Sequence, residues 1–295
     1  MDVDAGLIFD QLIAGLGRGS LLFLIASGLT LVLGVLHVLN FAHGVTFLFG
    51  AYMSFEITNR LATTPEYFWL ALILAPIATA AMSGLIEVFF LRPIYKRHIL
   101  YQFLILFGVG YILSDVFKML WGVQYQSVSR PEILSGSVHV FNRVIPNYTI
   151  FMIGIAALAA ISIWFILNRT WFGRTVRAVH EQSEMASALG VNIRRLYTTV
   201  FMVGSFFAGL GGVVVSGLGS FGPGMDAEML ILAFIVVCVG GMGSISGAIV
   251  GALIIGIAEA YAILYIPKFA LVILYFIMAL VLYFRPWGLL GRAPE

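Results

Sequence analysis

Charge is what this sequence has least of. Only 10% of its 295 residues are Asp, Glu, Lys or Arg, against about 25% in a soluble globular domain. Lysine is scarcest and occurs only at Lys96, Lys118 and Lys268. None of the three follows a glycine, so the Gly-Lys-Ser/Thr of a nucleotide-binding phosphate loop cannot be assembled. No His-Glu-x-x-His metal pair and no Gly-x-Ser-x-Gly nucleophile elbow occurs either. Cysteine is nearly absent: Cys238 stands alone in an apolar run, can form no internal disulfide and reads as a small hydrophobe. A formal net charge of +2, scattered along the chain, gives nucleic acid nothing to grip. The first ten residues carry Asp2, Asp4 and Asp10 where a secretory signal would be positive. The first apolar stretch is therefore expected to stay in place as a membrane helix.

What the chain does have is apolar bulk. It is 61% hydrophobic with a mean hydropathy of +1.04, and blocks such as Phe151–Leu167 and Ala248–Ile266 are apolar on every side. Such a helix offers water no polar face, which makes lipid the solvent. In hydrocarbon the backbone must satisfy itself, which leaves helices or closed barrels. A barrel would alternate over strands of roughly ten residues, whereas these runs approach the ~20 residues a helix needs to cross ~30 Å. The expected fold is an all-α integral membrane protein, a polytopic bundle of about eight to nine transmembrane helices, some short or broken. The candidate spans are Leu12–Leu36, Gly44–Ile57, Phe68–Leu91, Tyr101–Trp121, Tyr148–Leu167, Leu196–Leu218, Met229–Gly243, Ala248–Ile266 and Phe269–Phe284. The second and seventh are short enough to be re-entrant.

Basic residues gather in three loops: Arg92/Lys96/Arg97, Arg169/Arg174/Arg177/Arg194/Arg195, and the tail Arg285/Arg292. By span count all three fall on one side, and retention of Lys and Arg makes that side the cytoplasm. The opposite loops mix Arg60, Arg130, Arg143 and Lys268 with Glu66, Glu132, Asp226 and Glu228. An N-terminus outside and a C-terminus inside follow. The 32 glycines mark close helix packing, since small residues let backbones approach where lipid supplies no hydrophobic drive. Phe41-Ala42-His43-Gly44 faintly echoes Gly243-Ser244-Ile245-Ser246-Gly247, too faintly to establish an internal repeat.

Arg169 to Arg195 is the most polar stretch. Within it, Arg177 to Leu189 reads as one short helix stopped by Gly190. Arg177 and Glu181 are spaced to pair, and Ala178, Met185, Ala186 and Leu189 gather on one face. Periodicity alone suits a surface connector between two spans. Spacing adds a second possibility, because Glu184-x-Ala186-x-x-x-Gly190 resembles the coupling loop of ABC importer permeases, with Met185 in place of that pattern's first alanine.

The resemblance extends along the chain through Gly28-Leu29-Thr30-Leu31-Val32-Leu33-Gly34-Val35, Asn40-Phe41-Ala42-His43-Gly44, Leu91-Arg92-Pro93, Gly240-Gly241-Met242-Gly243-Ser244 and Phe284-Arg285-Pro286-x-Gly288-Leu289. In this order the landmarks resemble LivH-type permease subunits of branched-chain amino acid ABC importers. The resemblance implies one permease domain over 1–295 with a cytoplasmic coupling loop at 169–195, in a bacterial inner membrane. It also implies partners: two cytoplasmic ABC ATPases that use the ATP, a second permease subunit and a periplasmic binding protein. On it, Arg177, Glu181, Glu184, Met185, Ala186, Leu189 and Gly190 are the expected ATPase-coupling residues. No cofactor, metal or catalytic residue is expected on the chain itself. Substrates of the family include branched-chain and other hydrophobic amino acids, urea, amides and small carboxylates.

Ionisable groups at membrane depth are expensive and are candidate functional sites. Glu87 near Arg92, and Asp115 one turn from Lys118, suit structural ion pairs, and Glu56 is a further intramembrane acid. Glu259, with Tyr261 and Tyr265 nearby, suits either a substrate path or a tyrosine hydrogen bond. Asn40 suits a helix cap, and the Asn40–Gly44 turn suits either a tight connection or a gate. The expected path or gate residues are Asn40, His43, Gly44, Gly241, Gly243 and Glu259. An ion-coupled transporter using Glu87, Asp115 or Glu259, or a passive channel, is the rival reading.

Overall fold

A computed structural model describes residues 5–61, 64–140 and 143–291. Among the described residues are twelve α-helices, nine on the apolar runs and three in polar loops (α5, α7 and α8): α1 (Ala5–Leu36), α2 (His43–Phe55), α3 (Phe68–Ile86), α4 (Ile99–Trp121), α5 (Glu132–Ser135), α6 (Asn147–Arg169), α7 (Trp171–Glu181), α8 (Ser183–Ala188), α9 (Ile193–Leu218), α10 (Met225–Gly240), α11 (Ile245–Tyr265) and α12 (Ala270–Phe284). Wider π turns begin at Glu56 and Glu87, where α2 and α3 end. The fold is not wholly α: β1 (Ser137–Val140) and β2 (Arg143–Pro146) pair antiparallel, with His139 opposite Val144, in the loop after α4.

Seven helices among the described residues are long and apolar enough to cross a membrane: those containing α1, α3, α4, α6, α9, α11 and α12. That is fewer than the eight to nine spans expected. The difference lies in the two short spans, now α2 and α10, with 13 and 16 residues. Helices α1 and α9 form the buried centre, while α12 buries only Leu274. The outer helices expose large apolar side chains such as Leu104, Phe276 and Tyr283, as lipid-facing surfaces do.

Glycine decides how closely the centre packs. A Cβ on Gly28 of α1 would lie 2.0 Å from the Gly204 carbonyl oxygen of α9, so the two antiparallel backbones touch there. On the other side of α1, a Cβ on Gly256 of α11 would lie 2.2 Å from the Gly19 nitrogen.

The short helices are half-helices that begin deep inside the bundle. Beyond α1 the chain turns back through His37, the one described non-glycine residue with positive φ (54°). It then climbs alongside α1 until the His43 ring abuts Gly28 and its Nε2 meets the Ile25 carbonyl at 2.9 Å. Gly204, level with Gly28, lies roughly 16 Å from one end of α9 and about 21 Å from the other at 1.5 Å per residue. Helix α2 therefore starts near mid-depth, then runs parallel to α9 until Ser54 meets Ser216 at 3.0 Å. After α9 the chain re-enters from the opposite side and α10 starts at the same depth, where a Cβ on Gly44 would lie 2.1 Å from the Asp226 carbonyl oxygen. From there α10 runs the other way and ends where Gly240 packs on Gly247. Two pairs, α1–α2 and α9–α10, are thus related by inversion. The counterpart of the α2 start is the α10 start at Gly224–Asp226.

The three basic loops share one end of the bundle, as the charge pattern implied. Arg92 reaches Thr198, and the tail segment carrying Leu289 and Leu290 hydrogen-bonds to Val239 and Gly240. Arg292 of that tail lies outside the described residues.

Candidate functional site

The turn that starts α2 is built from its own polar groups. Asn40 is not the cap of α2, whose N-cap is Ala42 without a side-chain bond. Asn40 Oδ1 instead accepts from the Ala42 amide at 3.1 Å and closes the turn ahead of the helix, and Thr46 Oγ1 donates to the His43 carbonyl at 2.7 Å. Asn40 and His43 are wholly buried, with Asn40 Nδ2 and His43 Nδ1 unpartnered. A carbonyl can only accept, so His43 donates from Nε2 to Ile25 and ties the half-helix to α1. Gly44 follows and touches α10. Asn40, His43 and Gly44 therefore stand together at mid-depth.

The other expected gate residues do not join them. Gly241 and Gly243, both at positive φ (115° and 80°), form the turn between α10 and α11 at the basic end. There a Cβ on Gly241 would strike Gly291 and Trp287, and one on Gly34 of α1 would strike Gly243. This turn is a socket for the C-terminal tail, roughly 22 Å along α10 from Asp226. Glu259 lies towards the opposite end and makes no bond to a tyrosine. It pairs with Arg18 of α1 at 2.5 Å, while Tyr261 donates to the Ile8 carbonyl. Glu259 thus clamps α11 to α1. Loop charges carry no trace of Arg18, whereas an arginine within a 32-residue apolar helix is itself the signal of a buried partner.

Glu87, Asp115 and Glu56 make structural contacts, as the Glu87 and Asp115 spacings suggested. Glu87, wholly buried, accepts from Arg92 at 3.1 Å, Tyr95 at 2.8 Å and Thr198 at 2.7 Å, joining α3 to α9. Asp115 and Lys118 pair at 2.8 Å on an exposed face of α4. Glu56 accepts from the Trp121 indole and pairs with Arg60 at 3.1 Å. Among the described residues no group of three or more His, Cys, Asp or Glu converges to hold a metal.

The polar arm at 169–195 is two helices rather than one. Thr170 caps α7 by accepting from Gly173, and the chain breaks at Gln182 (φ −147°, ψ 88°) before α8. Gly190 stops α8 as expected: at φ 89° its amide donates to Ser187 while Val191 donates to Ala186, the two bonds of a Schellman cap. The expected Arg177–Glu181 pair is absent among the described residues, because Arg177 donates to the Leu167 carbonyl at the end of α6 and Glu181 is left exposed. The expected apolar face also divides. Ala186 turns inward with Val176 and Val179, while Met185 and Leu189 point outward, 58% and 80% exposed, beside exposed Glu184. His180 stacks on His37, with ring centroids 5.3 Å apart and planes within 6°. The arm therefore touches the bend from which the α2 half-helix departs.

Comparison with known proteins follows the same outline. A family model described as the permease component of a branched-chain amino acid transport system matches residues 11–282. A high-affinity branched-chain amino acid transport permease, BraD of Pseudomonas aeruginosa, is 31% identical over 97% of this chain and 96% of its own length. The LivH permeases of Salmonella typhimurium and Escherichia coli K12 are 31% and 30% identical over the same shares. No solved structure matches the chain. A multi-pass bundle matched from end to end in this way belongs to the family of permease components of branched-chain amino acid transport systems.

Proposed function

We propose that this chain is the membrane-spanning half of an ATP-driven importer for branched-chain or similar hydrophobic amino acids, forming the path and borrowing hydrolysis from separate ATPase subunits. Supporting the substrate class are relatives whose names specify high-affinity branched-chain amino acid transport along nearly their full length. One observation carries the coupling half of the reading. The α7–α8 arm projects Glu184, Met185 and Leu189 from the basic end while resting through His180 on the bend before α2. An exposed apolar pair one helical turn apart, with an acid alongside, suits insertion into a groove of a partner. Movement of the arm then reaches the half-helix through a direct contact.

On this reading the basic end faces the cytoplasm, where two ABC ATPases dock. A second permease subunit stands beside this one and a substrate-binding protein delivers from the other side. Arg177 and Gly190 hold the arm, and Glu181, Glu184, Met185 and Leu189 meet the ATPase.

The test is reconstitution with the ATPases and second permease in liposomes. Leucine accumulation should require ATP and the binding protein. Glu184→Lys with Gly190→Pro should leave the assembly inserted yet uncouple hydrolysis from uptake. Undiminished uptake in that double variant refutes the coupling role. Proton-driven uptake by this chain alone refutes the importer.

A further inference from the structure

Both half-helices begin at one cavity. It holds about 350 Å3, within the ~300–1,000 Å3 range of small-molecule sites, and its wall includes Phe41, Gly44, Phe107, Lys118, Asp226 and Leu230. The first turns of α2 and α10 leave four lining amides with no acceptor among the described residues: Gly44, Val45, Asp226 and Ala227. Any helix start leaves such donors. Here two starts from inverted halves of the fold open onto the same space, because Gly44 lets α2 touch the Asp226 backbone.

The charges in the cavity sum to a pattern. Each helix start is worth about half a positive charge, so the two supply roughly one. Lys118 is neutralised by Asp115 at 2.8 Å. Asp226 accepts from the Gly224 amide at 3.1 Å through one oxygen; it forms no salt bridge among the described residues, and Lys118, already paired with Asp115, is the cation that reaches it electrostatically. A positive focus on backbone amides, a carboxylate without a salt bridge and an apolar wall of Phe41 and Phe107, 6.1 Å apart, lie side by side.

We propose that this cavity holds the transported solute as a zwitterionic α-amino acid with an apolar side chain. Its carboxylate sits on the amides of Gly44, Val45 and Ala227, its ammonium on Asp226, and its side chain on Phe41 and Phe107. The assignment rests on the transport reading above and adds where in this chain the cargo is read. A carboxylate lacking the ammonium strands Asp226, and an amine lacking the carboxylate strands the amides. Either loss leaves a polar group of the cavity without its partner.

Leucine and 4-methylpentanoate, which is leucine without its ammonium, are the probes. Binding of each is measured on the purified transporter assembly in lipid nanodiscs, separately from uptake. Wild type should prefer leucine, and Asp226→Asn should weaken leucine about 10- to 100-fold while leaving 4-methylpentanoate unchanged, so the preference collapses. Exposed Glu228→Gln, two residues on, should keep it. In an independent readout, a thiol at Ala227→Cys should be protected by leucine from a small charged thiol reagent. One at Met119→Cys on the outward face of α4 should not. An unchanged preference in Asp226→Asn, or no leucine binding by wild type, overturns the cavity assignment. Leucine bound with this selectivity but never transported overturns the transport reading and leaves the cavity standing.

Discussion

Gly44 and Arg18 carry the most specific consequences of single side chains. A methyl group on Gly44 would sit 2.1 Å from the Asp226 carbonyl oxygen and 2.9 Å from the Leu230 side chain, so the two half-helix starts would have to separate. Overpacking of this kind costs about 1–3 kcal/mol. Gly44→Ala is expected to lower the melting temperature in detergent and reduce uptake. Gly108→Ala on α4, where the added methyl meets nothing within 4 Å, should do neither. Arg18→Met leaves the Glu259 carboxylate buried without its cation. A wholly buried pair broken this way loses ~3–5 kcal/mol. Arg18 is 35% exposed, so a loss on the order of 2 kcal/mol is expected instead. Adding Glu259→Gln should recover much of it in the same thermal assay, since the carboxylate is then gone. Full stability of Arg18→Met would show that the pair contributes nothing to the α1–α11 contact.

At the scale of the element, the arm and the bend form one unit joined by two histidines. Burial, and then the nearby His180, hold the His37 pKa below its ordinary 6.5. A base with a depressed pKa in the folded state favours that state while neutral, and the advantage disappears as pH falls. The His37–His180 stack is therefore intact above about pH 6.5 and loosens as acid protonates His37. Hydrogen exchange across α7 and the 37–42 segment should rise between pH 7.5 and pH 5.5. In His37→Phe, which keeps a ring but cannot titrate, the rise should vanish. The Schellman cap at Gly190 acts at the same scale: Gly190→Ala forces an L residue to φ near 89°, at roughly 1–2 kcal/mol. Limited proteolysis of the 183–191 segment should accelerate while the membrane helices stay folded.

For the whole molecule, the inverted pairs α1–α2 and α9–α10 give a bundle whose ends differ in charge and whose middle is approached by one half-helix from each side. With the basic end inside, a membrane-impermeant maleimide applied to intact cells should label Ile133→Cys, 72% exposed beyond α4. It should reach Lys96→Cys only after permeabilisation. The reverse pattern would invert the orientation.

Much of this protein was legible in its sequence because bilayer physics is local. An apolar run near 20 residues must be a helix whatever surrounds it, and the clustering of basic loops, the Gly190 stop and the Glu87–Arg92 and Asp115–Lys118 pairs all follow from neighbours in the chain. Residues distant in sequence had no such signal. That α2 and α10 are half-helices starting at mid-depth depends on glycine contacts between Gly28 and Gly204 and between Gly44 and Asp226, which only the assembled bundle creates. The same holds for Glu259 meeting Arg18 across 241 positions, and for Arg177 capping α6 instead of pairing with Glu181. Sequence determined that the chain is a multi-pass membrane protein of a permease family. Tertiary structure decided where its polar groups meet, because partners are chosen in folded space, where lipid leaves a buried charge no solvent to fall back on.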